Sequence, residues 1–191
     1  SYTVRGYQCA ESTDADGLTA DFVYVENALP VDLLNVKGKI VLVNGFLRVP
    51  LYRSLMEAGA TAVVTMDGDI HDDLENTDLH QRKLRSALRT FGNAPAVQLR
   101  TVDAMEIVNK GASRAKVTVQ NKNVTLTSHN VIAEIKGTEH PEQIISFGAH
   151  YDSVEFSKGV YDNGAGSVIN MEAARWFMQN PPKRTVKFCW Y

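Results

Sequence analysis

One histidine and two aspartates have the residue types and the spacing of a metal site. His150 ends a mostly apolar run of strand length, and Asp152 follows two residues later. Asp162 lies twelve residues after His150, where a glycine-bounded helical pattern begins. Zinc and similar metals bind imidazole nitrogen and carboxylate oxygen, and a strand end and a helix start hold such ligands rigidly. The pattern therefore predicts a metal site between these two elements.

The three side chains suit two different roles. His150 and Asp162 are predicted to be direct ligands, and a carboxylate such as that of Asp162 can bridge two metal ions. Asp152 suits an indirect role, in which it accepts the other ring N–H of His150 and fixes the imidazole tautomer. A His-x-Asp pair on its own is more often a hydrogen bond within a loop. The apolar strand, the second aspartate and the glycine-rich helix start with Gly164 make the metal site an equal alternative to that hydrogen bond.

The composition is that of a globular domain and excludes several functions. The chain has 191 residues, of which 44% are hydrophobic and 22% charged, and its formal net charge is −2. This charge does not favour binding to nucleic acid or to an anionic membrane. No apolar run approaches the ~20 residues of a membrane-spanning helix. The two cysteines, Cys9 and Cys189, are predicted to be free thiols, although a disulfide between them stays open.

The elements that would position the metal site lie in the last third of the chain. Residues 131–135, 144–149 and 185–191 are rich in β-branched and aromatic residues, which predicts three strands. A helix is predicted after Asp162, and Glu172 interrupts its apolar stripe without a visible reason. The stripe predicted to face the core consists of Ala165, Val168, Ile169, Ala173, Trp176 and Phe177.

The preceding part of the chain has a different organisation. Residues 20–128 alternate short apolar strands with helical segments, including a strand–helix–strand unit at residues 40–66. Residues 115–120 and 124–127 alternate in hydrophobicity, which predicts a pair of antiparallel strands. Residues 1–19 are polar and lack a clear period. They are predicted to form a lead-in segment, so the predicted division is 1–19, 20–128 and 129–191.

A charged stretch interrupts the first domain. Residues 67–94 carry a group of acidic residues and then a group of basic ones. The acidic spacing does not match a calcium-binding loop, so a solvated excursion is predicted, with one helical turn around Leu84 and Leu88. His71 and His80 in this stretch are predicted to be surface residues.

Three motifs in the last third resemble a known family. They are residues 130–137 (NVIAEIKG), 148–153 (GAHYDS) and 162–166 (DNGAG), in the order and spacing of the di-zinc aminopeptidase family. This family includes bacterial leucyl aminopeptidases and glutamate carboxypeptidase. Residues 20–126 resemble the protease-associated domain that members of this family often carry before the catalytic motifs.

The resemblance implies a fold and a set of roles. The fold class is α/β and α+β: a protease-associated domain, as a β-sandwich or open barrel with flanking helices, followed by the first strands and helix of a mixed-sheet zinc-peptidase domain. His150 would ligate one zinc ion, Asp162 would bridge two, and Asp152 would orient His150. The family's general base and its remaining ligands would lie beyond Tyr191. The chain is therefore expected to be an incomplete and inactive part of the enzyme.

The implied function is that of a zinc-dependent exopeptidase, an aminopeptidase that removes N-terminal residues from peptides by means of a hydroxide between two zinc ions. The alternative is a non-catalytic receptor-like or protein-binding module on the same fold. Whether the amino or the carboxyl end of a peptide is recognised stays open. The resemblance also implies an extracellular or cell-envelope location. Because the final domain would have open sheet edges, self-association is expected beside the binding of peptide substrate.

Overall fold

The chain folds into two compact units, each with its own sheet. The computed structural model describes residues 1–66, 79–154 and 157–191. Unit 1 is Ser1–Asn123 and unit 2 is Val124–Tyr191. Of the helices that are described, none has the length and apolar character needed to cross a membrane. Both cysteines are free thiols, and Cys189 is buried.

Unit 1 is built on a six-stranded sheet with the order β1-β5-β4-β3-β2-β6. The four central strands are parallel, and β1 and β6 are antiparallel to their neighbours at the two edges. The strands β1 to β6 are Val4–Gly6, Leu18–Tyr24, Ile40–Asn44, Ala62–Met66, Ala96–Leu99 and Arg114–Val117. The helices α1 to α3 are Val49–Glu57, Ser86–Arg89 and Thr101–Asn109.

The two central strands of unit 1 are buried on both faces. Residues 40–43 and 62–65 are fully or almost fully buried, as their continuous apolar runs predicted. On one face they pack against Tyr52 and Leu55 of α1. On the other face they pack against Ala104 of α3. The strand–helix–strand unit predicted from the sequence is therefore confirmed.

The sheet of unit 1 is strongly curled. If it were flat, β1 and β6 would stand about 24 Å apart, since neighbouring strands are spaced by ~4.8 Å. Instead, a β-carbon placed on Gly6 of β1 would lie 2.6 Å from Cγ2 of Val119, two residues after β6. Asn121 Nδ2 also donates to the carbonyl oxygens of Tyr7 and Ala10, at 3.0 and 2.9 Å. The two edges of the sheet thus approach each other at one end.

Two segments of the chain differ from the sequence prediction. Residues 1–19 are not a separate lead-in, because Val4–Gly6 pairs with β5 and Tyr7 is 1% exposed. The predicted strand at residues 124–127 is absent: this exposed stretch has no strand partner within the described ranges. The predicted partner, residues 115–120, contributes β6, which pairs with β2 instead.

The charged stretch is only partly described. Residues 67–78, with His71, lie outside the described residues. The turn predicted around Leu84 and Leu88 corresponds to α2, and both leucines are buried. Leu84 N–H donates to the carbonyl of Gln8 at 2.8 Å. This part of the stretch therefore belongs to the core of unit 1 and is not the solvated excursion that was predicted.

Unit 2 is a three-stranded mixed sheet with one long helix. Its strands are β7 (Val131–Ile135), β8 (His140–Ala149) and β9 (Arg184–Trp190), and its helix is α4 (Ala165–Gln179). The order is β7-β9-β8, with β7 antiparallel and β8 parallel to β9. An aromatic cluster joins the helix to the sheet. It consists of Phe147, Phe177, Phe188 and Trp190.

The face of α4 that meets the sheet is not the one predicted. Ala173 and Phe177 do face the sheet, but Val168, Ile169 and Trp176 are 57%, 66% and 57% exposed. The packed face carries small or polar residues, which let the helix approach the sheet closely: Gly166, Ser167, Asn170 and Ala174. Glu172 lies on the outer face and pairs with Arg175 at 3.0 Å, which explains why it interrupted the predicted stripe.

Candidate metal centre

The backbone around His150 is held from three sides. Tyr191 N–H donates to the carbonyl of Ala149, and Tyr151 N–H donates to the carbonyl of Tyr191, both at 2.9 Å. These bonds extend the pairing of β8 with β9 past the histidine. The Ser167 hydroxyl donates to the carbonyl of His150 at 3.1 Å. His150 is therefore positioned by the sheet and by the first turn of α4 together.

Asp162 lies in the tight segment Val160–Gly164 that leads into α4. Its backbone angles, φ −116° and ψ 94°, are not helical, and its peptide bond to Asn163 is cis. Gly159 before it has φ 62°, a conformation that favours glycine. A β-carbon on Gly159 would lie 2.7 Å from Cβ of Ser153. The glycine thus lets the Asp162 segment approach the loop that follows His150.

The imidazole of His150 lies between two carboxylates. Its Nε2 is 2.9 Å from Oδ1 of Asp162, and its Nδ1 is 2.9 Å from Oδ1 of Asp152. Nδ1 is also 3.2 Å from the backbone carbonyl oxygen of Asp152. The structure therefore brings together all three residues singled out in the sequence. One carboxylate thus lies within hydrogen-bonding distance of each ring nitrogen.

The two carboxylates change the acidity of the histidine. The hydrogen bond that His150 donates to the Asp152 carboxylate raises the pKa of His150 above its ordinary value, and the negative charges of Asp162 and Asp152 act in the same direction. The two carboxylates therefore stabilise the imidazolium form relative to that of an isolated histidine. A metal would bind the neutral Nε2, so metal and proton compete for the same atom.

The residues of this site fit zinc in donor type but are few in number. His150 Nε2 and Asp162 Oδ1 converge on one point, and Asp152 supplies the orienting carboxylate usual for a zinc-bound histidine. Catalytic zinc sites use at least three protein ligands. Over residues 1–66, 79–154 and 157–191, no group of three or more His, Cys, Asp or Glu side chains is arranged to hold a metal ion.

The remaining histidines of unit 2 take no part in this arrangement. His129 and His140 are exposed. His140 Nδ1 is 3.9 Å from a carboxylate oxygen of Glu142, which makes it an ordinary surface pair.

Two supporting residues were missed in the sequence. Ser167 holds the carbonyl of His150, and Asn163 Oδ1 accepts a hydrogen bond from Gly166 N–H at 3.2 Å. A side chain that accepts from a backbone N–H three residues on is typical of a helix start. This preference for Asn directly before a helical stripe was the signal available for Asn163. Ser167 had no such signal, because its partner lies on a strand.

Comparison with known proteins supports the family resemblance of residues 130–191 that was found in the sequence. The model of peptidase family M28 matches residues 130–191. The chain is 27% identical over 171 residues to probable leucine aminopeptidase 2 of Aspergillus fumigatus, covering 87% of this chain and 32% of that protein. It is 34% identical over 95 residues to Carboxypeptidase Q of Xenopus laevis, covering 46% of this chain and 20% of that protein.

A solved structure extends the similarity to both units. The crystal structure of a zinc aminopeptidase from Bacillus subtilis matches with a TM-score of 0.73 and 25% identity, covering 100% of this chain and 45% of that one. The chain has the same mixed α/β fold with mixed sheets. Within this fold, residues 130–191 are the part that matches the model of peptidase family M28. The chain spans about a third of the length of the Aspergillus relative.

Proposed function

We propose that this chain is part of a zinc-dependent aminopeptidase, a hydrolase that removes N-terminal residues from peptides. The observation that carries the proposal is the convergence of His150 Nε2 and Asp162 Oδ1, with Asp152 on the opposite ring nitrogen. The M28 match and the leucine aminopeptidase and zinc aminopeptidase relatives support it.

In this proposal the chain's residues hold and orient one side of the zinc site. Zinc, when bound, would polarise the scissile carbonyl. It would also lower the pKa of a bound water molecule, so that the water can ionise near neutral pH. His150 and Asp162 would donate nitrogen and oxygen to the metal. Asp152 would hold the Nδ1 proton of His150, so that Nε2 keeps its lone pair for the metal. Ser167 would keep the histidine backbone in place.

Unit 1 is proposed to be a protease-associated domain. Its support is the curled six-stranded sheet with helices on both faces, which resembles the expected open barrel with flanking helices. A second candidate function is that of a carboxypeptidase. The observation that supports it is the 34% identity to Carboxypeptidase Q. Assays of the whole protein that carries this sequence, with peptides blocked at either end, distinguish the two.

The chain alone is proposed to bind zinc weakly and to have no turnover. The reason is that two direct donors are fewer than a stable zinc site uses. The test is a zinc titration by calorimetry of the 191-residue chain, its His150→Ala and Asp162→Asn variants, and a matched His140→Ala control. We expect weak binding that both site variants lose and the control keeps. Binding that is unchanged in His150→Ala would contradict the assignment.

The enzymatic part of the proposal needs the whole protein that carries this sequence. There, His150→Ala is expected to abolish hydrolysis of an aminoacyl p-nitroanilide, whereas His140→Ala is not. Full activity of the His150→Ala protein would show that the hydrolase centre lies elsewhere.

A further inference from the structure

Unit 1 contains a large apolar cavity that the metal centre does not use. Its volume is about 620 Å³, within the range of small-ligand and peptide pockets. The wall is formed by the inner face of the curled sheet and by the end of α3. Its apolar lining includes Phe22, Val64, Val97, Leu99, Ile107 and Val117.

One wall of the cavity is the edge strand β6. Its residues alternate, because Ala115 and Val117 are partly or fully buried whereas Arg114 and Lys116 are exposed. All four line the cavity. The strand thus presents small apolar side chains to the interior and cationic side chains to its mouth.

The outer edge of β6 has free backbone groups. Phe22 N–H donates to the carbonyl of Ser113, which continues the register in which Ala20 faces Ala115. In an antiparallel pair, alternate residues direct their N–H and C=O groups away from the partner. These residues are Arg114 and Lys116. Within the described part of the chain, β6 pairs with no strand other than β2.

The mouth of the cavity is positively charged. Arg114 and Lys116 form no ion pair with any described carboxylate. Lys110 also lines the cavity, but it forms an ion pair with Glu106, one turn earlier on α3. Two cations on one edge strand are therefore available to an incoming group of opposite charge.

We propose that unit 1 binds an extended peptide of alternating apolar and acidic residues, which adds as a strand to the outer edge of β6. A strand places successive side chains on opposite faces. Its apolar side chains would enter the cavity beside Ala115 and Val117. Its acidic side chains would then stand opposite Arg114 and Lys116, where cross-strand charge pairs are favourable. Main-chain hydrogen bonds supply affinity and the cavity supplies selectivity.

This peptide site is separate from the proposed hydrolase centre. It uses residues of unit 1 alone, and it requires neither zinc nor a free peptide terminus. It is therefore tested with the intact chain in the presence of a chelator. The probe is a fluorescent eight-residue peptide that alternates leucine and glutamate and is blocked at both ends.

The measurement is fluorescence anisotropy with peptide and protein variants. We expect saturable binding that weakens with added salt, and about tenfold weaker binding of the matched leucine–lysine peptide. The double variant Arg114→Ser/Lys116→Ser is expected to bind the leucine–glutamate peptide with an affinity reduced by a similar factor. The control Lys122→Ser should bind it with unchanged affinity. Lys116→Pro removes one outward N–H without breaking the pairing to β2, and binding should be lost.

If Lys116→Pro does not fold, a second probe tests the same pairing. This probe is the peptide methylated on the alternate amide nitrogens that would face β6. It should bind more weakly than its parent, because it cannot complete the strand pairing. Equal binding of the glutamate and lysine peptides, or of the methylated and parent peptides, would overturn the proposal. So would loss of binding in His150→Ala. Displacement of an apolar dye by dodecanoate but not by the peptide would assign the cavity to an alkyl carboxylate instead.

Discussion

Gly6 and Val119 are in such close contact that a β-carbon on Gly6 would lie 2.6 Å from Cγ2 of Val119. This contact joins β1 to the chain that follows β6, so it sets the curl of the sheet. Because Val119 is 8% exposed, its side chain has little room to move. We expect Gly6→Ala to lower the free energy of unfolding by about 1–3 kcal/mol, as is usual for overpacking.

The double variant Gly6→Ala/Val119→Ala tests whether this contact is the cause. It should be less destabilised than the sum of the two single variants, since the smaller side chain makes room for the added methyl group. Urea unfolding of the four proteins measures the difference. Strict additivity would mean that the strain arises elsewhere.

A second prediction concerns Tyr52, which is fully buried in the core of unit 1. Its hydroxyl donates to the carbonyl of Gly92 at 3.0 Å and accepts from Ala94 N–H at 3.2 Å. Tyr52→Phe leaves both backbone groups without this partner. We expect a loss of about 1–3 kcal/mol in unfolding free energy. The matched control is Tyr161→Phe, because Tyr161 is 90% exposed and should have no effect.

The same tyrosine gives a pH dependence. Burial raises the pKa of Tyr52 above its ordinary value of 10.0, so the folded chain holds this proton more tightly than the unfolded chain does. Its contribution to stability is fully present below pH 10 and is lost as the pH rises through the folded-state pKa. Unfolding measured between neutral and strongly alkaline pH should show a smaller alkaline loss in Tyr52→Phe than in the parent chain.

A third prediction concerns Asp152 and zinc. Because the Asp152 carboxylate holds Nδ1 of His150 at 2.9 Å, Asp152→Asn should weaken zinc binding by about 10–100-fold without removing a direct ligand. The pKa of His150, measured by NMR on the metal-free chain, should also fall. Calorimetry compares this variant with Glu142→Gln, which alters the surface pair at His140. If Asp152→Asn and Glu142→Gln bind zinc with equal affinity, Asp152 does not support zinc binding.

A fourth prediction is self-association through unit 2. The outer face of α4 exposes Ile169 and Trp176 to 66% and 57%, and the outer edges of β7 and β8 have no strand partner among the described residues. Apolar faces and open edges of this kind favour association. Light scattering at rising concentration should show dimers or larger species.

The variant Ile169→Glu should reduce this association by placing a charge on the outer face of α4. Val31→Glu, at a 68% exposed site in unit 1, serves as the control and should leave the association unchanged. A parent chain that stays monomeric at high concentration would contradict the prediction.

The proximity of His150 to Asp152 and Asp162 was predictable because the signals for it are local. A strand that ends at His150 and a helix that begins after Asp162 both follow from residue type and period. The orientation of α4 was not predictable in this way. Apolar residues occur on both sides of the helix, and periodicity alone favours the bulkier side. The sheet instead packs against the side of Gly166 and Asn170, where small residues and one amide allow close contact.

The non-local pairings of unit 1 were also beyond the sequence patterns. The alternation at residues 124–127 resembles that at 115–120, yet only the earlier segment finds a partner, β2. Alternating hydrophobicity indicates a possible strand but does not show whether the segment pairs with another strand. The strand Val4–Gly6 is short and polar, and it becomes part of the sheet because β5 offers it an edge.

The strand order of unit 2 has a consequence for how the protein is made. β9 follows β7 and β8 in the sequence but lies between them in the sheet. During synthesis, β7 and β8 therefore remain unpaired until residues 184–190 have left the ribosome. At ~5–20 residues per second, that delay exposes two unpaired strands for several seconds. β7 and β8 can thus pair with β9 only after synthesis has passed residue 190, whereas all six strands of unit 1 have been made well before.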